Sequence, residues 1–372
     1  MIVGINALSA RAGGGRVYLQ NLVRSLSEVR PNWTIDVVLR SADQLSDWPK
    51  ANNLRYSSCP ANSPLLRVLF EGIFLFCHAH RNGWDIGIFP NGVIPILFRK
   101  AKTAIIIQNQ LIWDRRSVRD FKGGYQRLRH FLLRRSCICS IQRADKIIYV
   151  SNFIKAEAEK AANPKTARRS AVIYLGLEKR LEEKAPPQAP NGRFVFYPSP
   201  IFPYKRQLTV LDSFTRYIKN SNDPELFLVF GGGIGDRSYF RKVLAQITKD
   251  NLQERVLFVG DLKKEEMQWL LKRAEKIVFA SVCESISLIV LEAIASGRPF
   301  LCSSRSPMPE IAGPAASYFD PDSPEELCQL LSGKPLLISE KTRTEVLSKF
   351  SWTKNAIETA HLIEPELETQ EC

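Results

Sequence analysis

Apolar residues along the chain fall in two arrangements. Short runs rich in Ile, Val, Leu and Phe alternate with longer stretches in which apolar positions return every three or four residues. The first pattern predicts buried strands and the second helices with one face inward. In the first half the runs cover residues 2–8, 34–39, 85–90, 102–107, 146–150 and 171–175. Gly13-Gly14-Gly15 follows the first run, and Val17, Leu19, Leu22, Val23 and Leu26 then mark a helix. Strand, glycine loop and helix make a nucleotide-fold opening, in which glycine lets the backbone approach a ligand. Residues 125–141 predict a long, basic, amphipathic helix, and Ser151-Asn152-Phe153 an N-cap after the fifth strand. Residues 65–79 form the longest apolar stretch, but it is short and carries Arg67 and Glu71. It reads as a buried helix rather than a membrane span, with a surface-associated helix as the sharper alternative.

Residues 178–193, EKRLEEKAPPQAPNGR, turn to charge, Pro and Gly and read as an interdomain linker. A second series follows. Its strands are expected at 194–197, 226–230, 256–259, 277–280 and 300–302, with helices from about Arg206 to Lys219, from Asp236, and over 264–274 and 287–295. Alternation of this kind predicts an α/β protein with parallel sheets covered on both faces. Two series joined by one linker predict two Rossmann-like domains, with ligands at the carboxyl ends of the strands.

Charge is unevenly spread. Residues 1–180 hold 29 Lys and Arg against 12 Asp and Glu, a net of +17, while the remainder nets −3. Ten of those bases lie between Arg115 and Lys146. A field of that sign attracts anionic lipid surfaces, phosphorylated lipids or nucleic acid. Charge alone is too little to assign nucleic-acid binding, and none is expected. The eight cysteines form no CxxC pair and no zinc spacing, which fits reduced thiols acting as small hydrophobes in the cytosol. The opening MIVGINAL lacks a basic leader and a cleavage pattern, so a cytoplasmic protein is expected.

The chemistry concentrates in residues 280–300, ASVCESISLIVLEAIASGRPF. A β-rich run stops at a polar elbow, and a helix opens from Ser287 and closes at Gly297, with Pro299 beyond. Glu284 precedes the helix and Glu292 lies two turns along it. A helix N-terminus offers free N–H groups and the positive end of a dipole, which stabilise phosphate or developing negative charge. A carboxylate beside it can accept hydrogen bonds from sugar hydroxyls.

Glu284-x7-Glu292, followed by Ala293-x-Ala295-x-Gly297-x-Pro299, resembles the donor-binding signature of the family 4 retaining glycosyltransferases. Lys146-Ile-Ile-Tyr-Val-Ser151, Val172-Ile-Tyr-Leu-Gly176 and Val256-Leu-Phe-Val-Gly260 are similar to other stretches of that family, as is the tail from Phe350-Ser-Trp352. The resemblance implies the GT-B fold, two Rossmann-like domains facing across a cleft. Residues 1–178 would bind acceptor, 179–193 link, 194–350 bind nucleotide sugar, and 351–372 cross back to the first domain. It implies a hexosyltransferase that needs no metal or cofactor beyond a UDP- or GDP-sugar co-substrate. Glu284 would hold the transferred sugar, Glu292 the ribose, and Lys205 the diphosphate, with Arg206 beside it. Where the family commonly has an arginine, six residues before the lysine, this chain has Ser199. Where the family has Gly-Phe-Gly, it has Ser285-Ile286-Ser287, whose amides, with Leu288, would still meet the donor. Gly231 would border the nucleotide, Gly14 and Gly15 would line an acceptor or phosphate loop, and Asn109 would stand where relatives carry a sugar-binding histidine or amide. The basic first domain suggests a glycan acceptor that is lipid-linked or of lipopolysaccharide type, met at the inner face of an anionic membrane.

Two other classes fit parts of the chain. The departures at Ser199, Asn109, Ser285 and Ser287 suit a non-catalytic glycan- or nucleotide-binding scaffold of the same fold. The N-terminal glycines and Arg40 suit an NADP-dependent dehydrogenase, although no proton-transfer residue stands beside a nicotinamide site.

Overall fold

The computed structural model describes residues 1–8, 14–40, 42–59, 64–99, 101–114, 124–162, 170–178, 182–221, 225–334 and 336–364. Gly13 and residues 179–181 of the expected linker lie outside them. The chain divides into two compact units, Met1–Gly176 with Phe350–Cys372, and Leu177–Lys349.

The first unit is a seven-stranded sheet in the order β3-β2-β1-β4-β5-β6-β7. Its strands are β1 (Ile2–Asn6), β2 (Thr34–Leu39), β3 (Leu54–Ser58), β4 (Ile86–Phe89), β5 (Lys102–Ile107), β6 (Lys146–Tyr149) and β7 (Ser170–Val172). Every pairing is parallel. Helices α1 (Gly14–Val29), α2 (Pro64–Asn82), α3 (Gly124–Arg143) and α4 (Asn152–Ala162) connect them. Right-handed crossovers put α2, α3 and α4 on one face and α1 on the other. The central strands are apolar at almost every position because both faces are covered; Val3, Ile5, Ile88 and residues 104–107 are at most 1% exposed. Edge strand β3, LRYSS, is largely polar and half-exposed, which is why apolar runs alone miss it.

A last helix, Trp352–Ile363, belongs to this first unit. It packs against α1, with Tyr18 and Trp352 rings 5.6 Å apart, and Asn355 Nδ2 donates to the Tyr174 carbonyl at 2.8 Å. Arg30 closes the contact on Glu364 at 2.7 Å. Gly176 makes room for the returning chain: a Cβ there would stand 2.2 Å from the Trp352 backbone nitrogen.

Two expected helices differ in how they are covered. α2 is not simply buried, since Ile73, Phe76 and Cys77 face solvent while Leu75 and Ala79 are inside. Nor is α3 amphipathic in the usual sense. Cys137, Ser140 and Ile141 face the sheet, yet Tyr125, Leu128, Phe131 and Leu132 face out among arginines. Apolar residues on opposite sides cancel the one-faced pattern that defines an amphipathic helix.

The second unit is a six-stranded parallel sheet in the order β10-β9-β8-β11-β12-β13. Its strands are β8 (Phe194–Pro198), β9 (Phe227–Gly231), β10 (Val256–Phe258), β11 (Lys276–Phe279), β12 (Phe300–Ser303) and β13 (Ser317–Phe319). The helices are α5 (Gln207–Ser221), α6 (Arg237–Lys249), α7 (Lys264–Arg273), α8 (Leu288–Ser296), α9 (Met308–Ala312), α10 (Pro324–Ser332) and α11 (Glu340–Leu347). Strand order reverses between β8 and β11, so the segments leaving these two strands diverge and open a crevice at their carboxyl ends. In the first unit the same reversal falls between β1 and β4.

Gly176→Ala is expected to destabilise the first unit by about 1–3 kcal/mol, because backbone rather than a flexible side chain blocks the added methyl. Gly14→Ala, where a Cβ meets nothing within 4 Å, should be neutral or stabilising. Denaturant midpoints followed by tryptophan fluorescence compare the two; equal midpoints would show that the close approach at Gly176 carries no energy.

Candidate active site

Both segments that leave the switch point of the second unit carry charged side chains. After β8 the chain runs through Ser199, Pro200 and Ile201 into a 3-10 turn, Pro203–Lys205. Arg206 then takes a left-handed backbone, φ 55°, and α5 begins. A non-glycine residue in that region is uncommon and persists where its surroundings over-determine it. Here they do. The Tyr197 hydroxyl donates to the Lys205 carbonyl, and Gln207 Nε2 donates to the Pro200 carbonyl at 2.8 Å. The glycine run after β9 seats the same loop. Ile201 donates to the Gly233 carbonyl at 2.9 Å, and a Cβ on Gly235 would lie 2.0 Å from the Phe202 ring. Gly232, at φ 145°, would press a Cβ to 2.5 Å from the Pro200 nitrogen. Gly231 itself ends β9, paired with Pro198. Packing thus accounts for glycine at 232 and 235.

The elbow after β11 meets that loop directly. Val282 N–H donates to the Tyr204 carbonyl at 2.9 Å, and Lys205 Nζ donates to Glu284 Oε1 in an ion pair. Both side chains are mostly buried, with 11% of Lys205 and 14% of Glu284 exposed. The ammonium also lies 5.1 Å from the Phe279 ring centroid and 5.5 Å from that of Tyr204, so aromatic faces supply part of its solvation. Burial, reinforced by the Glu284 charge, pushes the Tyr197 phenol well above its ordinary pKa. It stays a neutral donor to Lys205.

Helix α8 opens immediately beyond Glu284. Ser287 is its N-cap residue, but the Ser287 hydroxyl makes no capping hydrogen bond to the first turn. Gly297, left-handed at φ 74°, ends the helix. Val290, Leu291, Ala293 and Ile294 anchor it in the core, leaving Ser285 half-exposed and Leu288 on the partly open side. Ile286 is buried, and its side chain pins the elbow.

Glu292 sits in a second cluster. Lys264 Nζ pairs with Glu178 Oε2 at 2.5 Å, and both charges act on Glu292. Burial first, and the Glu178 charge second, push its carboxyl up to about 7, with Lys264 opposing. Arg206 is also committed. Its Nε donates to Asp322 Oδ1 at 2.8 Å, and Arg305 bridges Asp322 and Asp320 at 3.1 and 3.0 Å. The structure therefore assembles Lys205, Glu284 and the 282–287 elbow, and holds Arg206 and Glu292 in two further ionic clusters of the same unit. Sequence reasoning did not single out Tyr197 or Asp322. Nothing in the sequence marks Asp322, whereas Tyr197 stands at the end of an apolar strand, where a buried hydroxyl needs a partner.

In the first unit Asn109 is exposed at the end of β5, and its Oδ1 accepts from Leu111 N–H at 3.1 Å, capping a short 3-10 turn. Gln108 Nε2 donates to the Pro90 carbonyl at 2.9 Å. His130 and Arg134 of α3 bind the Leu111 and Ile112 carbonyls, the latter at 3.1 Å. Gly14 and Gly15 are not loop residues; they form the first turn of α1.

Residues 178–334 match the family model described as glycosyl transferases group 1. That match falls within the second unit, Leu177–Lys349, and takes in Lys205, Glu284 and Glu292. Over 157 residues, 42% of this chain and 41% of the relative, the chain is 31% identical to the uncharacterized glycosyltransferase YqgM of Bacillus subtilis. Over 202 residues, 52% of this chain and 47% of the relative, it is 27% identical to the MMP alpha-(1->4)-mannosyltransferase of Mycolicibacterium hassiacum. The aligned stretches thus span less than half of either curated relative. Solved structures match across both units. HepE of Anabaena in complex with UDP-glucose superposes with a TM-score of 0.75 at 17% identity, covering 97% of this chain and 98% of that one. The apo lipopolysaccharide outer core galactosyltransferase WaaB superposes at 0.66 and 17% identity, covering 96% and 99%. This likeness is one of fold, and the fold is GT-B, with two Rossmann-like parallel sheets of seven and six strands.

A carboxyl raised above its unfolded value keeps its proton in the folded chain after the unfolded chain has released it. Glu292 therefore contributes stability at low pH that is lost as pH rises through the window from about 4.5 to about 7. Glu292→Gln removes that loss. Its advantage over wild type should be near zero at pH 4 and reach about 3–3.5 kcal/mol by pH 8, since each tenfold difference in proton affinity between folded and unfolded chain is worth about 1.4 kcal/mol. Paired urea titrations at the two pH values measure it, and a pH-independent difference would contradict the assignment.

Proposed function

We propose that the protein is a retaining, metal-independent hexosyltransferase using a UDP- or GDP-sugar donor. The observation that carries this is the buried contact of Lys205 with Glu284 at the switch point of the second unit, beside the N-terminus of α8. In the reaction the bond from the anomeric carbon to the donor phosphate oxygen breaks, and the diphosphate leaves with added negative charge. An acceptor hydroxyl oxygen bonds to the same face of the sugar, and its proton passes to an oxygen of the leaving phosphate. Lys205 and the leading N–H groups of α8 would stabilise the developing charge, having been fixed before the reaction. Donor entry exchanges the partner of Lys205, from Glu284 to the diphosphate, and frees Glu284 to accept hydrogen bonds from sugar hydroxyls. The amides of Ser285, Ile286, Ser287 and Leu288 would border the phosphate and sugar, and Glu292 would take the ribose. Gly231 and Ser199 would border the nucleotide, and Arg206 would act by holding the turn that presents Lys205. Asn109, with both donor and acceptor atoms, would hydrogen-bond the transferred sugar, and the N-terminal turn of α1 at Gly14 and Gly15 would approach phosphate or acceptor.

The UDP-glucose complex of a structural relative supports the donor class. The O-antigen chain mannosyltransferase B of Escherichia coli, 30% identical over 89 residues, 24% of this chain and 23% of that one, supports a glycan acceptor. So does the lipopolysaccharide galactosyltransferase. We infer a lipid-linked or lipopolysaccharide-type acceptor, met on the cytoplasmic side of a membrane.

Lys205→Ala and Glu284→Ala should each lower transfer by at least about two orders of magnitude, the loss that follows removal of one transition-state stabiliser. Each also leaves the partner charge buried and alone, so melting temperature is measured alongside. A folded variant with wild-type turnover would refute the assignment. A screen of nucleotide sugars by thermal shift identifies the donor, because a ligand that binds only the folded state raises the melting temperature. No shift with any of them would leave a non-catalytic scaffold of the same fold.

A further inference from the structure

The first unit carries apolar surface that its own core does not use. Ile96, Leu97, Tyr125, Leu128, Phe131 and Leu132 are 53–78% exposed. On α3, at 100° per residue, Leu128, Phe131, Leu132 and Arg135 fall within one arc. It lies opposite Cys137, Ser140 and Ile141, which pack inward. The helix holds 20 residues, about 30 Å of length. It contains no Asp or Glu, and Arg127, Arg129, Arg135 and Arg143 are exposed along it. The patch continues beyond the helix. Arg143 Nη2 reaches the Ile96 carbonyl, and Gly72 of α2 packs against Leu97, beside exposed Ile73 and Phe76. Right-handed crossovers bring α2 and α3 to the same face of the sheet. At the edge, an open pocket of about 410 Å³ sets Arg99, Lys102 and Arg143 around the apolar side chains of Ile94 and Phe98, with one acid, Asp145, whose carboxylate accepts from Thr103.

We propose that this face of α2, the 94–99 segment and α3 docks on an anionic phospholipid bilayer. Large apolar side chains in solvent, interleaved on α3 with arginines and free there of acid, are the composition of a helix lying in the lipid interface. The apolar residues enter the boundary between headgroups and acyl chains, and the arginines meet lipid phosphates. Charge decides between a membrane and a protein partner, because the surrounding half of the chain nets +17. No helix among the described residues is long and apolar enough to cross a membrane, so contact is from one side. Docking would bring the bilayer against the helix whose His130 and Arg134 hold the Asn109 turn. The inference depends on the proposed transfer activity only for the purpose of docking, not for docking itself.

The test is co-sedimentation of the full chain with vesicles of phosphatidylcholine, alone or with added phosphatidylglycerol. The wild type should pellet with the mixed vesicles and stay in solution with the neutral ones. The Leu128→Ser, Phe131→Ser, Leu132→Ser triple variant and the Ile96→Ser, Leu97→Ser pair should each lose that binding. An Arg127→Ser, Arg129→Ser, Arg135→Ser variant should weaken it at least about tenfold and flatten its salt dependence. All three sets replace exposed side chains, so unchanged melting curves are expected. If the apolar triple misfolds, the arginine set and the Ile96, Leu97 pair still decide. Nucleotide-sugar thermal shifts of the variants, unchanged from wild type, separate this surface from the donor site. Absence of wild-type pelleting, or pelleting that ignores the phosphatidylglycerol, would overturn the proposal. So would a shift in oligomeric state in the variants without vesicle binding, which would make the patch a protein interface.

Discussion

Everything proposed for the second unit depends on one desolvated ion pair. Lys205 and Glu284 come from segments 79 residues apart and meet because β8 and β11 are neighbours at the point where strand order reverses. Taking an ammonium and a carboxylate out of water costs several kcal/mol each, and mutual attraction offsets this only where geometry is fixed. Tyr197, Gln207 and the glycines at 232 and 235 supply that fixity on the lysine side. On the other side the buried strand β11 and the apolar face of α8 hold the elbow. A buried pair of this kind is weak evidence for stability and better evidence for a task. In the proposed reaction it would keep a cation and an acceptor ready for a diphosphate and a sugar to divide.

The same logic explains why the other cations nearby are poor substitutes. Arg206 and Arg305 share Asp322, and Arg305 also holds Asp320, so their charges are already balanced within the unit. An arginine at position 199 would have added a second positive group; Ser199 is instead buried, its hydroxyl on the Pro200 carbonyl at 3.1 Å. In the proposed reaction, charge stabilisation would therefore rest more heavily on Lys205 and on the leading amides of α8. Serines at 285 and 287 keep those amides but restrict the backbone that presents them.

Most of the architecture was legible because parallel strands buried on both faces write long apolar runs. β1, β4, β5, β8 and β11 are such runs, and each was expected within a residue or two. Edge strands β3 and β13 were not, since half-exposed residues and short length erase the signal. Helix boundaries at α8 were legible from Gly297 and Pro299, whose conformational limits are local. Partnership was not. That Arg206 would be taken by Asp322, 116 residues away, or that Gly232 and Gly235 would seat the lysine loop, depends on tertiary contacts that no spacing announces. The contrast at α3 is of a different kind. Period-based reading treats apolar residues as pointing to a core, and on that helix many of them point away from it.

That last mismatch bears on the charge imbalance. If the excess of positive charge served the donor diphosphate, it would be expected near the Lys205 loop, yet residues 181–372 net −3 and their arginines at the site are paired. The +17 of the first 180 residues lies outside the second unit's Lys205 loop. Self-repulsion makes such a field costly unless a partner screens it. On α3 the arginines stand beside the side chains whose exposure is itself unfavourable, and the proposed partner would satisfy both by being extended, negatively charged at its surface and apolar just beneath. An anionic bilayer has those three properties together, whereas a polyanion such as nucleic acid would leave Leu128, Phe131 and Leu132 in water.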